Sequence, residues 1–185
     1  MTERREYQVI FAGEGGQGLV VAGSLLGEAA VSAGWYATQT VEYGIASRGG
    51  LALTEVKLSD REIDCPELTQ PDYLMVLTTE AYRRLAERAA GAVLIYDRDL
   101  VGVGVAPAAG RLLGYPLTTA LRRLTATYGE QARINILALG VLLGVEPLVP
   151  LETVEQVLAA RFGAAGAAAN RAVLRAGVEL ARTGR

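Results

Sequence analysis

The first residues that could do chemistry form the glycine-rich segment GEGGQG at residues 13–18. It fits the pattern G-x-G-x-x-G and lies between the apolar run YQVIFA and the segment LVVAGSLLGEAA, whose apolar residues have helical spacing. A strand that enters a helix through glycines directs several backbone N–H groups, and the positive end of the helix dipole, toward one small space. A single glycine fingerprint is a weak signal. The segment therefore predicts either an anion-binding turn or a tight strand-to-helix turn without a ligand.

A dinucleotide-binding enzyme needs more than this turn. Such folds have an acidic residue about twenty positions further on that binds the ribose, and the candidate here is Glu42, which lies somewhat late. The additional Gly16 and the polar Gln17 indicate a turn that hydrogen-bonds to a neighbouring chain or holds something other than a pyrophosphate. The motif G-x-x-x-x-G-K-[ST] is absent from the sequence, so a P-loop phosphotransferase is not expected. A stand-alone dinucleotide-binding Rossmann oxidoreductase remains the alternative interpretation.

A second glycine-rich segment, YGIASRGG at residues 43–50, follows a predicted strand. In a parallel sheet it would emerge at the same carboxyl edge as the first turn, which is where open α/β sheets bind ligands. Arg48 beside two glycines suits a phosphate or a carboxylate; alternatively the segment is an ordinary hairpin turn with a solvated Arg48. The candidate residues of a binding site or an interface are Gly13, Gly15, Gly16, Gln17, Gly18, Tyr43 and Arg48.

Two residue types that commonly carry catalysis or bind metals are nearly missing. The sequence contains no histidine, and Cys65 is its single cysteine. The commonest general base and the imidazole ligand are therefore lacking, and one thiol cannot supply the thiolates of an iron–sulfur cluster or a structural zinc site. We expect no catalytic residue and no metal ligand in this chain, so any such metal would belong to another chain.

Charge and hydropathy exclude further classes of function. The net charge is −2, with 18 basic and 20 acidic residues, and the arginines occur as scattered pairs rather than as a basic face for nucleic acid. The charged segment MTERREYQ lacks the apolar core of a signal peptide. The apolar runs fall short of the roughly 18 residues of a membrane span. We expect a cytoplasmic protein that binds neither nucleic acid nor a membrane.

The elements that would position the two glycine segments follow from hydrophobic periodicity. The pattern predicts an α/β fold with a Rossmann-like open, mostly parallel sheet flanked by helices, an antiparallel pair around the third strand, and a helical C-terminal part. The whole chain, residues 1–185, is expected to form a single domain. Strands are predicted at residues 7–12, 35–41, 51–58, 72–78 and 92–97, and helices at residues 19–33, 79–90, 117–128, 133–143, 151–162 and 167–181.

Several motifs in the same order resemble one family. GEGGQG at residues 13–18, QTVEYGIASRGG at 39–50, EVKLSDREIDCP at 55–66 and PDYLMVLTTEAY at 71–82 are similar to the gamma subunit, or gamma domain, of 2-oxoacid:ferredoxin oxidoreductases. The resemblance is greatest to the 2-oxoglutarate type, followed by the pyruvate, 2-ketoisovalerate and indolepyruvate types. It continues through NILALG at 135–140 and NRAVLRAG at 170–177, so it covers nearly the whole chain.

The resemblance implies a subunit of a larger enzyme. That enzyme would convert a 2-oxoacid, most naturally 2-oxoglutarate, and coenzyme A into acyl-CoA, carbon dioxide and reduced ferredoxin. Thiamine diphosphate, magnesium and the iron–sulfur clusters would belong to alpha, beta and delta-type partner subunits, with no cofactor bound by this chain alone. The chain itself would pack against those subunits, and its candidate residues would contact coenzyme A, another phosphate or a partner chain.

Overall fold

The computed structural model of the chain describes residues 5–44, 50–102 and 110–184, except for the side chains of residues 43, 164 and 165. Within these residues the strands form one sheet. They are β1 (Glu6–Glu14), β2 (Tyr36–Tyr43), β3 (Leu51–Ser59), β4 (Tyr73–Val76), β5 (Val93–Asp97) and β6 (Arg111–Tyr115). Their order across the sheet is β2-β3-β1-β4-β5-β6.

The sheet is mostly parallel, as the sequence predicted. β1, β4, β5 and β6 pair in parallel, whereas β3 is antiparallel to both β1 and β2. β2 therefore runs in the same direction as β1, and the carboxyl ends of both lie at the same edge of the sheet. β6 falls in a segment punctuated by glycine and proline, where the sequence indicated no more than short extended pieces.

Helices cover both faces of the sheet. They are α1 (Leu19–Ser32), α2 (Thr79–Leu85), α3 (Leu117–Tyr128), α4 (Ile134–Val145) and α5 (Leu151–Thr183), with short 3-10 turns at Ala86–Ala89 and Gly129–Gln131. α5 is interrupted at Gly163, where φ is 64° and ψ is 179°, so it corresponds to the two helices predicted for this region. Among the described helices, none has both the length and the apolarity that a bilayer span requires.

The alternation of side chains along the strands creates two hydrophobic cores. Val9 and Phe11 of β1 face the larger core, which contains α1, α4 and α5. Ile10 and Ala12 face the smaller core beneath α2. Because successive side chains of a strand point to opposite faces, a continuous apolar run such as VIFA is what a central strand covered on both sides requires.

Small residues bring α4 and α5 into close contact. A Cβ atom on Gly140 would collide with the carbonyl oxygen of Leu174, and one on Gly177 would collide with the carbonyl oxygen of Leu137. One turn further along, a Cβ atom on Gly144 would lie 2.6 Å from the carbonyl oxygen of Val178. The two helices thus touch through their backbones, which fixes α4 against the rest of the larger core.

Candidate functional site

A tight turn joins β1 to α1 at the carboxyl edge of the sheet. Gly16 and Gly18 have φ angles of 99° and 75°, which residues with a side chain rarely adopt. A Cβ atom on Gly13 would collide with Oε1 of Gln17 and would lie 3.2 Å from Cβ of Leu77. Backbone conformation therefore disfavours a side chain at Gly16 and Gly18, and packing leaves little space for one at Gly13.

The side chain of Gln17 closes this turn from within. Its Oε1 accepts a hydrogen bond from the Glu14 N–H at 2.8 Å, and the Gln17 N–H donates to the Glu14 carbonyl oxygen at 3.2 Å. The Gly15 N–H donates to the carbonyl oxygen of Gly50 at 2.9 Å. Several N–H groups that would surround a pyrophosphate in a dinucleotide-binding turn are thus already bonded within the chain.

The first turn of α1 has backbone donors for which the described residues provide no acceptor. Gly18 is the N-cap of α1 and makes no side-chain capping hydrogen bond. The first N–H groups of a helix have no intrahelical acceptor, and they carry the positive end of the helix dipole. These groups remain to bind an anion, another hydrogen-bond acceptor or water.

The two glycine segments meet at one edge of the sheet. The Gly44 N–H donates to the Leu51 carbonyl oxygen at 2.7 Å, and the Gly15–Gly50 bond joins the second segment to the first. Tyr43 is the last residue of β2, and its side chain lies outside the described part. Arg48 also lies outside the described residues. We call the turn at residues 13–18, together with Gly44 and Gly50, the glycine edge.

Asn135 contacts the glycine edge, although it lies far away in the sequence. Its Nδ2 donates a hydrogen bond of 2.9 Å to the carbonyl oxygen of Gly18, and the residue is 3% exposed. From its position at the start of an apolar run, the sequence favours a helix cap or a helix–sheet hydrogen bond for Asn135. The N-cap of α4 is Arg133 instead, and the Asn135 amide binds the turn.

A partly buried polar network holds α1 against β2 and β3, and sequence reasoning missed it. Oε1 of Gln39 accepts from Ser24 Oγ at 2.9 Å, while Nε2 donates to the Val20 carbonyl oxygen at 2.9 Å and to Thr54 Oγ1 at 2.8 Å. Gly23 makes this approach possible, because a Cβ atom there would lie 2.7 Å from Nε2 of Gln39. The signal in the sequence was a glutamine at the centre of a predicted strand, residues 35–41.

Replacing Gln39 with leucine is expected to lower the free energy of unfolding by about 2 kcal/mol, because the buried hydroxyl of Thr54 loses its donor and Ser24 loses an acceptor. Equilibrium urea unfolding measures this change. Thr40→Ala is the matched control, since Thr40 follows in the same strand with an exposed side chain, and we expect it to change stability by no more than about 0.5 kcal/mol. Equal effects of the two substitutions would show that the network contributes little.

The amino end of α3, at the same edge of the sheet, is occupied by the chain's own carboxylates. Asp97 is 1% exposed and accepts hydrogen bonds from the N–H groups of Leu117 at 3.1 Å and Thr118 at 3.2 Å, and from Thr118 Oγ1 at 2.6 Å. Asp99 accepts from the Thr119 N–H at 2.7 Å. α3 therefore has no free first-turn donors to offer an anion, in contrast to α1.

A groove lies between α1, β2 and α5, away from the glycine edge. Its volume is about 820 Å³, and its walls include Val31, Thr38 and Val157. An ion pair of 2.7 Å between Glu28 and Arg161 borders it. Oγ1 of Thr38 is buried and has no hydrogen-bond partner within the described part of the chain. The groove is a surface feature of mixed polarity that no charged cluster directs toward a particular ligand.

The opposite, amino edge of the sheet carries aromatic side chains. The rings of Tyr7 and Trp35 stack with their centroids 5.8 Å apart and an interplanar angle of 21°. Burial raises the pKa of the Tyr73 hydroxyl well above its usual range, and the Glu146 carboxylate, to which the hydroxyl donates, raises that pKa further. Tyr73 therefore stays protonated at neutral pH and acts as a hydrogen-bond donor rather than as a base.

Metal ligands are not concentrated anywhere in the described ranges. No group of three or more histidine, cysteine, aspartate or glutamate side chains is arranged there to hold a metal ion. The single cysteine, Cys65, is exposed and unpaired with any other thiol.

Comparison with known proteins gives matches over most of the chain. The family model described as pyruvate ferredoxin/flavodoxin oxidoreductase matches residues 8–180. The 2-oxoglutarate synthase subunit KorC of Archaeoglobus fulgidus is 39% identical over 160 residues, which span 85% of this chain and 80% of that protein.

Solved structures share the fold. The gamma subunit of a keto/oxoacid ferredoxin oxidoreductase from Geobacter sulfurreducens superposes with a TM-score of 0.79 at 32% identity, over 96% of this chain and 97% of that one. A 2-oxoglutarate:ferredoxin oxidoreductase from Magnetococcus marinus, with 2-oxoglutarate, coenzyme A and succinyl-CoA bound, gives a TM-score of 0.82 at 23% identity. That match covers 97% of this chain and 32% of the longer Magnetococcus chain.

Proposed function

Because the chain belongs to the pyruvate ferredoxin/flavodoxin oxidoreductase family, we propose that it is the gamma-type subunit of a multi-subunit 2-oxoacid:ferredoxin oxidoreductase. The complex oxidatively decarboxylates a 2-oxoacid, releases carbon dioxide, transfers the acyl group to coenzyme A and passes two electrons to ferredoxin. The observation that carries this proposal is the similarity to a KorC subunit along 85% of the chain at 39% identity. The same relative favours 2-oxoglutarate as the substrate.

The reacting cofactors are proposed to lie in alpha, beta and delta-type partner subunits. One cysteine and no histidine cannot hold an iron–sulfur cluster, which requires several thiolates. The described residues likewise provide no group of carboxylates for the magnesium of thiamine diphosphate. These groups do not fit this chain. Its proposed contribution is to assemble with the partner subunits and to shape the side from which coenzyme A enters. We place it in the cytoplasm and expect it to form a single domain.

The glycine edge is the part of the chain that suits coenzyme A. The first-turn N–H groups of α1 could donate to a phosphate oxygen or to an amide carbonyl of that molecule, and Gly13, Gly15, Gly16, Gln17 and Gly18 form the backbone around them. Tyr43 and Arg48 belong to the adjacent segment. The same donors could bind carbonyl oxygens of a partner chain, which is the other use of this edge that the sequence left open.

The alternative, a stand-alone dinucleotide-binding oxidoreductase, has less support. The relatives are subunits of 2-oxoacid oxidoreductases. In addition, the Glu14 and Gly15 N–H groups are bonded to Gln17 and Gly50, so a pyrophosphate would have to displace hydrogen bonds within the chain. We therefore expect calorimetric titrations of the chain with NAD, NADP and FAD to show no binding.

Purification from the native host tests the proposed function. A tagged copy of the chain, isolated without oxygen, should carry with it larger subunits that contain thiamine diphosphate and iron–sulfur clusters, identified by mass spectrometry and visible absorption. The complex should reduce ferredoxin when given 2-oxoglutarate and coenzyme A, and more slowly with pyruvate. The chain alone should show no turnover. Isolation of the chain without companions, or robust turnover by the chain alone, would contradict the proposal.

A further inference from the structure

We propose that Asn135 is a positioning residue for coenzyme A, because it fixes the direction of the first N–H donor of α1 and strengthens that donor. The inference rests on the proposed function, which makes coenzyme A the co-substrate. It adds a residue from the C-terminal helical layer, more than a hundred positions away in the chain, to the glycine edge. Asn135 acts through the backbone of Gly18 and need not touch the bound molecule.

The geometry at Gly18 shows how the two residues fit together. The carbonyl oxygen of Gly18 accepts from Nδ2 of Asn135 at 2.9 Å and from the Ala22 N–H at 3.2 Å. A Cβ atom on Gly18 would lie 2.8 Å from that Nδ2. The amide of Asn135 thus occupies the space that a side chain at position 18 would fill, and glycine is what admits it.

Fixing this carbonyl fixes a neighbouring donor. The carbonyl of Gly18 and the N–H of Leu19 belong to one planar trans peptide, so they point in opposite directions. Asn135 and the Ala22 N–H together hold this oxygen, so the Leu19 N–H points away from both, at the end of α1 that has no intrahelical acceptor. A hydrogen bond to the carbonyl also polarises the peptide and makes its N–H a stronger donor.

Asn135 is a costly residue at this position of the core. Asn135 is the one polar residue in the α4 sequence INILALGVLLGV, and its Oδ1 is buried without a donor among the residues that the structure describes. A buried acceptor without a partner costs about 1–3 kcal/mol. Asn135 differs from other buried amides of the chain in where its hydrogen bond goes, because Nδ2 reaches from α4 to the N-cap residue of α1.

The test uses the assembled complex and two substitutions at this position. Asn135→Leu removes the amide, and Asn135→Asp keeps the size but replaces the donor with a carboxylate oxygen. Both should raise the Kd for coenzyme A, measured by isothermal titration calorimetry, roughly three- to tenfold. This is the change expected when the hydrogen bond from the Leu19 N–H to coenzyme A is lost. The KM for coenzyme A should rise in parallel, whereas kcat and the KM for the oxoacid substrate should stay within about twofold.

Asn170 offers a matched control. It is also buried, its Nδ2 donates to a glycine carbonyl, that of Gly166, at 2.9 Å, and its Oδ1 also lacks a donor within the described ranges. Asn170→Leu should leave the Kd for coenzyme A unchanged. An unchanged Kd in both Asn135 variants of an intact complex, or an equal rise in Asn170→Leu, would overturn the inference while the proposed function stands. A wild-type complex that neither binds coenzyme A nor turns over would overturn both.

Discussion

Gly140→Ala is expected to lower the free energy of unfolding by about 3 kcal/mol, although alanine is a better helix former than glycine. In an exposed helix the same change would gain about 1 kcal/mol. At position 140 the new Cβ atom would collide with the carbonyl oxygen of Leu174 and lie 3.1 Å from Cα of Gly177. These are backbone atoms of α5 that cannot rotate away, so α4 and α5 must move apart, and overpacking of this kind costs more than the propensity gains.

Gly27→Ala is the matched control for this prediction. Gly27 also lies inside a helix, α1, but a Cβ atom there would meet only the Cβ atom of Ala37, at an ordinary distance of 3.6 Å. We expect it to raise the free energy of unfolding by up to about 1 kcal/mol. Urea unfolding followed by circular dichroism measures both variants. The close packing of α4 on α5 would be disproved as a source of stability if Gly140→Ala were as stable as Gly27→Ala.

Asp97→Ala is expected to cost about 3–5 kcal/mol, since it removes the acceptor of several buried donors in one step. The N–H groups of Leu117 and Thr118 and the hydroxyl of Thr118 bond to this carboxylate, and the side chain is 1% exposed. Each donor left without an acceptor adds a desolvation cost, and α3 also loses a negative charge at the positive end of its dipole.

Two companion variants separate these contributions. Asp99→Ala removes a single hydrogen bond, from the Thr119 N–H, at an exposed position and should cost about 1 kcal/mol. Asp97→Asn keeps one acceptor oxygen and should fall between the two alanine variants. Thermal unfolding of the three proteins at one pH gives the ranking. If Asp97→Ala were no less stable than Asp99→Ala, the buried carboxylate would not be what holds α3 to the sheet.

The strands of the sheet were predictable because strands that are buried on both faces have a clear pattern of apolar residues. The apolar runs of β1, β4 and β5 have the length and composition of strands that are buried on both faces, and each one is confirmed. The reversed strand β3 was also expected. β6 was not assigned because RLLGY is short and lies next to a long segment rich in glycine and proline, where local sequence does not distinguish a strand from a loop.

The contacts of the glycine edge were harder to predict from the sequence. The segment GEGGQG predicted a turn, and the possibility of a bond from Gln17 to a neighbouring chain followed from its polarity. Oε1 of Gln17 accepts from Glu14 of its own turn, a contact over three residues, and a bond from Gln17 to a neighbouring chain stays a prediction. Asn135, Gln39 and Asp97 make bonds between elements distant in the chain, and residue type alone does not specify such partners.

The reversal of β3 has a consequence for how members of the family diverge. β3 pairs with both β1 and β2, so its start lies beside the ends of both strands, and the bonds Gly44–Leu51 and Gly15–Gly50 tie these ends together. Because these ties are made by backbone groups, they do not depend on the identity of a side chain, and family members can differ in side chains at this edge while its backbone geometry is retained.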